Sequence, residues 1–286
     1  MIVSWFPYIR DGYGSEKFYR LKTTALLPLA AAALWSDWLT YLIRSLLALL
    51  LYGLFLAASR LRGRQSGGNR TRLIYQAWLI ILLLPGSYPW YLAWIFPAIG
   101  LGLNLLWDDD RRLAPINSPA IILGLWLAIY SQPSTASGGP WLWPAWSGVP
   151  PFLEAVPPAA SAAAAWLLLG RYFKFRIQLS FVLLAFFLSG LALYNPTMLS
   201  IPEPRALSAI LIAGTFLVPD EPASPKNLGT QLAYGALAAV IFFLFLRRGW
   251  HYQAMIFSAL IPSLISPWID AFAIYGGKVW EISRDR

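Results

Sequence analysis

The chain has no cysteine and a single histidine, His251. Without thiolates it can form no disulfide, no iron–sulfur ligation and no thiolate metal site, and one imidazole excludes a multi-histidine zinc or haem centre. Any redox cofactor must be organic or belong to a partner. Charge is also scarce, at 12% of 286 residues, against 58% hydrophobic residues and a mean hydropathy of +0.57. A soluble domain of this length could not hide that balance from water, so the composition is that of a polytopic membrane protein whose first partner is the lipid bilayer. The net charge of +9 would suggest nucleic acid in a soluble protein. Here the arginines fall in short loops between apolar spans, which is topology information, and no nucleic-acid partner is expected.

Apolar runs bounded by Trp, Tyr, Gly and Pro are predicted to span near residues 22–36, 38–60, 73–86, 89–107 and 117–131, then near 158–170, 177–195, 205–218, 228–246 and 252–274. The fold class is all-α, with about ten transmembrane helices, several shorter than the ~20 residues a perpendicular span needs. The first 22 residues carry Arg10, Asp11, Glu16, Lys17, Arg20 and Lys22 without an apolar core between them, which is unlike a cleaved signal peptide and predicts a cytoplasmic N-terminal segment over 1–21. The loop holding Arg60, Arg62, Arg64, Arg70 and Arg72 is the strongest positive-inside signal, and Arg111, Arg112, Arg171, Lys174 and Arg176 fall on the same side. Residues 132–157 contain no Lys or Arg and are expected on the outer face, whereas Arg247 and Arg248 conflict with the span count. The predicted organisation is a first five-helix repeat over 22–131, an extracytoplasmic Trp/Pro/Gly-rich loop over 132–157, a second five-helix repeat over 158–274 and a cytoplasmic tail over 275–286.

Two repeats of five spans each, an odd number, have inverted orientations. The third span ends in Leu84-Pro85-Gly86-Ser87-Tyr88-Pro89, and the eighth ends in the cluster from Pro219 to Pro225. Both are short and proline-interrupted at corresponding positions, and such a pair points to a midplane site between inverted repeats. Backbone without helical hydrogen bonds is tolerated at membrane depth only where protein or a water-filled cavity covers it. Pro219, Asp220 and Ser224 are therefore the broken-helix site candidates; the bland alternative is an ordinary helix ending in a polar loop. Arg44 and Asp270 lie within spans, where each costs about 2.5–3.5 kcal/mol at a helix centre unless paired or snorkelling, and structural roles are assigned to both. Asp108, Asp109 and Asp110 beside Arg111 and Arg112 read as a solvated cap, and no metal is assigned there. Trp141, Trp143 and Trp146, followed by Ser147 and Gly148, can stack on a planar ring such as a flavin, although an interfacial aromatic belt needs no ligand.

These motifs resemble, in order and spacing along nearly the whole chain, the D subunit of Rnf-type ion-translocating electron transport complexes and the related B subunit of the sodium-translocating NADH:quinone reductase. Ala213-Gly214-Thr215-Phe216-Leu217-Val218-Pro219-Asp220-Glu221-Pro222-Ala223-Ser224-Pro225 is similar to the family's stretch of small residues and Phe running into Thr-Asp-Pro-Val-Thr-Ser-Pro. Gly229, Tyr234-Gly235, Arg247-Arg248, Phe257-Ser258-Ala259-Leu260 and Pro267-Trp268-Ile269-Asp270 keep its order. Asn117-Ser118-Pro119-Ala120 resembles the family's Asn-Pro-Ala helix start with one residue inserted, and Leu84 to Trp90 its proline-rich turn. The resemblance implies a subunit of a bacterial inner-membrane complex with both termini cytoplasmic, partnered by other membrane and peripheral subunits and serving electron transfer or ion coupling. The resemblance further implies a part of a translocase rather than an enzyme on its own. The family carries Ser-Gly-Ala-Thr, with FMN esterified to the Thr, where this chain has Ser147-Gly148-Val149-Pro150. Proline has no hydroxyl, so no covalent flavin is expected at Pro150, and riboflavin or FMN is expected only noncovalently. Two other functions compete: a structural subunit that has lost its flavin, and a solute transporter or channel on a related repeat fold. Against the latter, the spans offer few polar residues beyond Gln76, Asn104, Gln178, Gln231 and Ser258.

Overall fold

The computed structural model describes residues 15–36, 38–61, 70–83, 92–109, 117–130, 160–167, 175–194, 203–220, 224–225, 228–248, 253–266 and 268–269. The described residues form helices and the turns that end them. They are α1 (Ser15–Ala25), α2 (Leu27–Ser36), α3 (Trp38–Leu61), α4 (Arg70–Leu83), α5 (Leu92–Asp109) and α6 (Ser118–Tyr130). After these come α7 (160–167), α8 (Phe175–Tyr194), α9 (Glu203–Ile212, continued as a π-helical turn over Ala213–Leu217), α10 (Leu228–Leu246) and α11 (Gln253–Ser266).

By length and composition, one described helix, over Gly229–Leu246, is long and apolar enough to cross a membrane unaided. Five shorter apolar helices accompany it: Tyr41–Phe55, Thr71–Leu83, Phe175–Leu191, Ala206–Leu217 and Gln253–Ser266. Apolar side chains face outward as well as inward. On α3, Leu46, Leu50 and Leu54 are exposed, as are Leu183, Phe187 and Leu191 on α8. Apolar faces of this extent are not kept in water by a soluble monomer, which accords with lipid or neighbouring subunits around the bundle.

In the first half α4 is central, packing against α1, α2, α3, α5 and α6. Its sequence is apolar almost all round, and Leu73, Tyr75, Ala77 and Leu79 to Leu83 are all buried, as a helix without a polar face must be. In the second half α8 and α10 form the most extensive helix pair. Gly235 makes this approach possible: a Cβ there would lie 2.6 Å from the carbonyl oxygen of Ile177 and would collide with Ser180 Oγ. One buried apolar cluster joins the halves, running from Tyr19 and Leu26 through Tyr75 and Ile122 to Phe181, Phe216 and Phe242.

The chain becomes helical earlier than the charge pattern predicts. Helix α1 begins at Ser15 rather than near residue 22, and a turn at Leu26 separates it from α2. Leu26 N–H is shared between the carbonyls of Lys22 (3.2 Å) and Thr23 (3.1 Å), which closes the helix. The cations of α1 are misleading in the sequence, because Lys22 is fully buried rather than part of a solvated tail. Arg44, 2% exposed, is likewise drawn inside the bundle, with its guanidinium 5.9 Å from the Tyr41 ring, rather than reaching to a headgroup. The predicted interruption near Pro85, and Asp270, lie outside the described residues.

A candidate ion site at the interrupted helix

Helix α9 ends where its sequence dictates. Over Ala213-Gly214-Thr215-Phe216-Leu217 it widens into a π turn, with Val218 N–H donating to Ala213 O at 2.8 Å. Such turns insert one residue into the helical ladder and recur at functional sites. Gly214 lets this turn lie against α8, since a Cβ would sit 2.7 Å from Val182 Cγ2 and 2.8 Å from Phe181 Cδ1. Pro219 then stops the helix: it has no N–H to give the carbonyl four residues back, and its ring clashes with that carbonyl. The last carbonyls of α9 are left without helical donors inside a buried core, where each unsatisfied group costs several kcal/mol in an apolar medium.

Side chains from the first half of the chain supply what the helix lost. Tyr75 Oη on α4 donates to Phe216 O at 2.9 Å. Asn117, just before α6, donates from Nδ2 to Leu217 O at 2.6 Å, and its Oδ1 accepts from Ala120 N–H at 3.1 Å. One buried amide thus caps α6 and holds the end of α9. From α1, Lys22 Nζ donates to Pro219 O at 2.9 Å and to Phe216 O at 3.4 Å, and lies 5.1 Å from the centroid of the Tyr75 ring. The second half contributes too: Ser224 Oγ donates to Asp220 O at 2.6 Å, Gln231 Nε2 on α10 to Pro225 O at 3.4 Å, and Gln178 Nε2 on α8 to Thr215 Oγ1 at 3.4 Å. Lys22, Tyr75, Asn117, Gln231 and Thr215 are buried, from both halves of the sequence, at one point.

Asp220 carries the carboxylate of this cluster, and like the amide oxygen of Gln178 its side-chain oxygens accept no hydrogen bond among the described residues. It is 2% exposed. A buried ionised carboxylate is costly unless something compensates it, so an unbonded one marks a place where a cation or a proton belongs. Among the described residues no three His, Asp or Glu side chains gather as a metal cluster would need. A lone carboxylate falls well short of the roughly six to eight oxygen ligands that a protein-bound Ca2+ takes.

Of the residues that sequence reasoning singles out, the structure brings Pro219, Asp220 and Ser224 together at the interruption. Trp141, Trp143, Trp146, Ser147, Gly148 and Pro150 lie outside the described residues. The interrupted helix does not fit a flavin: its donors Lys22, Tyr75, Asn117 and Ser224 are engaged with backbone carbonyls of the same segment, and the π turn is packed against α8. Of the polar residues within spans, Gln178 and Gln231 serve this segment, Gln76 is buried beside Tyr75, and Ser258 bonds its own helix at Met255 O, 3.0 Å away. Sequence reasoning misses Lys22 and Tyr75: Lys22 stands among the charges of the N-terminal segment, and Tyr75 carries one polar atom within an apolar run.

Comparison with known proteins bears on part of the chain. The matched relatives include the D subunits of ion-translocating oxidoreductase complexes from Escherichia coli O139:H28 (strain E24377A / ETEC) and from Shigella flexneri serotype 5b (strain 8401). Each is 29% identical over a stretch covering 41% of this chain and 35% of the relative, so the chain matches about a third of their length. From residue 147 to residue 275, a segment that contains α8, the interrupted helix and α10, the chain matches the NQR2, RnfD, RnfE family, which bears out the resemblance carried by the motifs of that segment; Leu84 to Trp90 and Asn117 to Ala120 lie outside it.

Proposed function

We propose that the chain is a membrane subunit of an Rnf- or Nqr-like ion-translocating oxidoreductase complex, and that ion movement is coupled to electron transfer at the interrupted end of α9. The buried, unbonded carboxylate of Asp220 carries this reading. A charge at that depth is retained at a cost, and intramembrane ionisable groups mark ion or proton paths. The interruption frees the Phe216 and Pro219 carbonyls from helical bonds, both accept from Lys22 Nζ, and broken helices commonly coordinate ions with such unwound backbone. The finer reading places the chain in a bacterial inner membrane with cytoplasmic termini and two inverted five-helix repeats, partnered by further membrane and peripheral subunits.

A flavin, if carried by this chain, is a noncovalent riboflavin or FMN stacked on Trp141, Trp143 or Trp146 near Ser147 and Gly148, since the interrupted helix is already filled by its own donors. Isolation of the complex through a tag on this chain tests both parts. Iron–sulfur and flavin-bearing subunits should co-purify, and a denaturing gel should show no flavin fluorescence at this chain's mass. A chain purified alone from intact membranes removes the complex. A fluorescent band at its mass would mean that Thr135, Ser137 or Ser147 has become the acceptor.

The second reading, a structural subunit that has lost its flavin, is favoured by Pro150 alone. Trp141→Ala and Trp143→Ala should slow electron transfer in an assembled complex if a flavin is stacked there, and should change assembly or nothing if it is not. A solute transporter is less well supported, because Gln178 and Gln231 are committed to clamping the interrupted segment.

A further inference from the structure

Capping the carbonyls of α9 does not require a charge. Asn117 does so with a neutral amide and Tyr75 with a hydroxyl, at 2.6 and 2.9 Å. Yet Phe216 O and Pro219 O are also served by the ammonium of Lys22, on a fully buried side chain, at 3.4 and 2.9 Å. A buried lysine is the expensive way to make those bonds. Its charge, rather than its N–H groups, explains its presence, and the backbone it grips leads directly into Asp220.

We propose that Lys22 is a built-in competitor of the coupling ion: its ammonium neutralises the Asp220 region in the resting chain and leaves Phe216 O and Pro219 O when a monovalent cation such as Na+ enters. The proposal rests on the ion-site reading above. An ammonium on the carbonyl of the residue before Asp220 offsets that carboxylate's charge through space, with no hydrogen bond between the two. A second cation bound at the same time would leave a net positive charge in a buried, weakly screened place, so the two exclude one another. The carbonyls that Lys22 occupies have lone pairs for Na+ once the ammonium withdraws. Lys22 sits in the last turn of α1, one turn before the break at Leu26, so a short movement of that helix end would withdraw it without disturbing α2. Lys22 is then a specificity-setting residue that holds the affinity for the ion low enough for release.

The test uses the whole complex in proteoliposomes, with Na+ as the probe. The half-saturating Na+ concentration for electron-driven charge movement is measured for the natural chain, Lys22→Gln, Lys22→Arg and Asp220→Asn. Lys22→Gln should lower half-saturation at least about tenfold, within the usual range of coupling between two sites, while Lys22→Arg stays within about twofold of the natural chain. A second measurement needs no variant: a membrane-permeant imidoester should label Lys22 at least about fivefold faster in Na+ than in choline, because the displaced ammonium is released from its carbonyls. Equal labelling in the two salts overturns the proposal even if Lys22→Gln fails to assemble. If Asp220→Asn removes Na+ dependence while Lys22→Gln and labelling are unaffected, the competitor role alone falls. If Asp220→Asn keeps the natural half-saturation, or if Na+ has no effect on the natural complex, the ion site falls and the proposal with it.

Discussion

A Gly235→Leu chain is expected not to accumulate in the membrane, whereas Gly190→Leu, one helix away, should accumulate normally. At Gly235 even a Cβ would lie 2.6 Å from Ile177 O and 3.2 Å from Phe181 N, both backbone atoms of α8 that cannot rotate aside. Inserting carbon into a tightly packed contact costs typically 1–3 kcal/mol for small additions and more where backbone must move. Against a total stability of about 5–15 kcal/mol, a leucine there separates α8 from α10 and removes the most extensive helix pair of the described fold. Gly190 faces outward on α8, and a Cβ added there would meet nothing within 4 Å, so a leucine only adds apolar surface to an exposed apolar face. Membrane abundance of fluorescent C-terminal fusions reads the difference. Equal abundance of the two variants would show that the α8 and α10 backbones are not in contact at Gly235.

Asn117→Ala should be the most damaging polar substitution at the site, with an expected loss of about 2–4 kcal/mol. It deletes the cap that accepts Ala120 N–H, worth about 1 kcal/mol, and strands the buried Leu217 carbonyl, worth roughly 1–3 kcal/mol more. Asn117→Asp separates these effects, because a carboxylate keeps the cap and cannot donate to Leu217 O. Thermal unfolding of the purified complex should therefore rank the natural chain above both variants. Full stability of Asn117→Asp would mean that the bridge between α6 and α9 contributes nothing.

Much of the architecture is legible in the sequence because lipid imposes a simple rule on composition. The run 228–246 reads as a span and forms α10 over Leu228–Leu246, and 205–218 is realised as α9 and its π turn ending at Leu217. The interruption at Pro219 is legible because proline chemistry is local. The π turn is not, since it depends on Gly214 meeting Phe181 and Val182 across the core. The donors that complete the site are hidden for the same reason: Lys22 reaches Pro219 across 197 positions of sequence and Tyr75 reaches Phe216 across 141. No periodicity links such residues. Lys22 reads as part of a charged tail because its neighbours Lys17 and Arg20 do, and Tyr75 reads as apolar filling because tyrosine carries one polar atom on an apolar ring. Asn117 is visible only as a helix start, which is half of what it does.

Asp220 is the point where ion movement is tied to electron flow on this reading. The most direct measurement is the number of ions taken up per electron transferred, followed in the same proteoliposomes with radioactive Na+ and a pH-sensitive dye, for complexes carrying the natural chain or Asp220→Asn. An asparagine keeps the size of the side chain and removes the charge that holds the ion. In the variant, ion uptake per electron is expected to fall to the background of uncoupled vesicles, with the complex still assembled. An Asp220→Asn complex that moves as many ions per electron as the natural one would contradict the assignment.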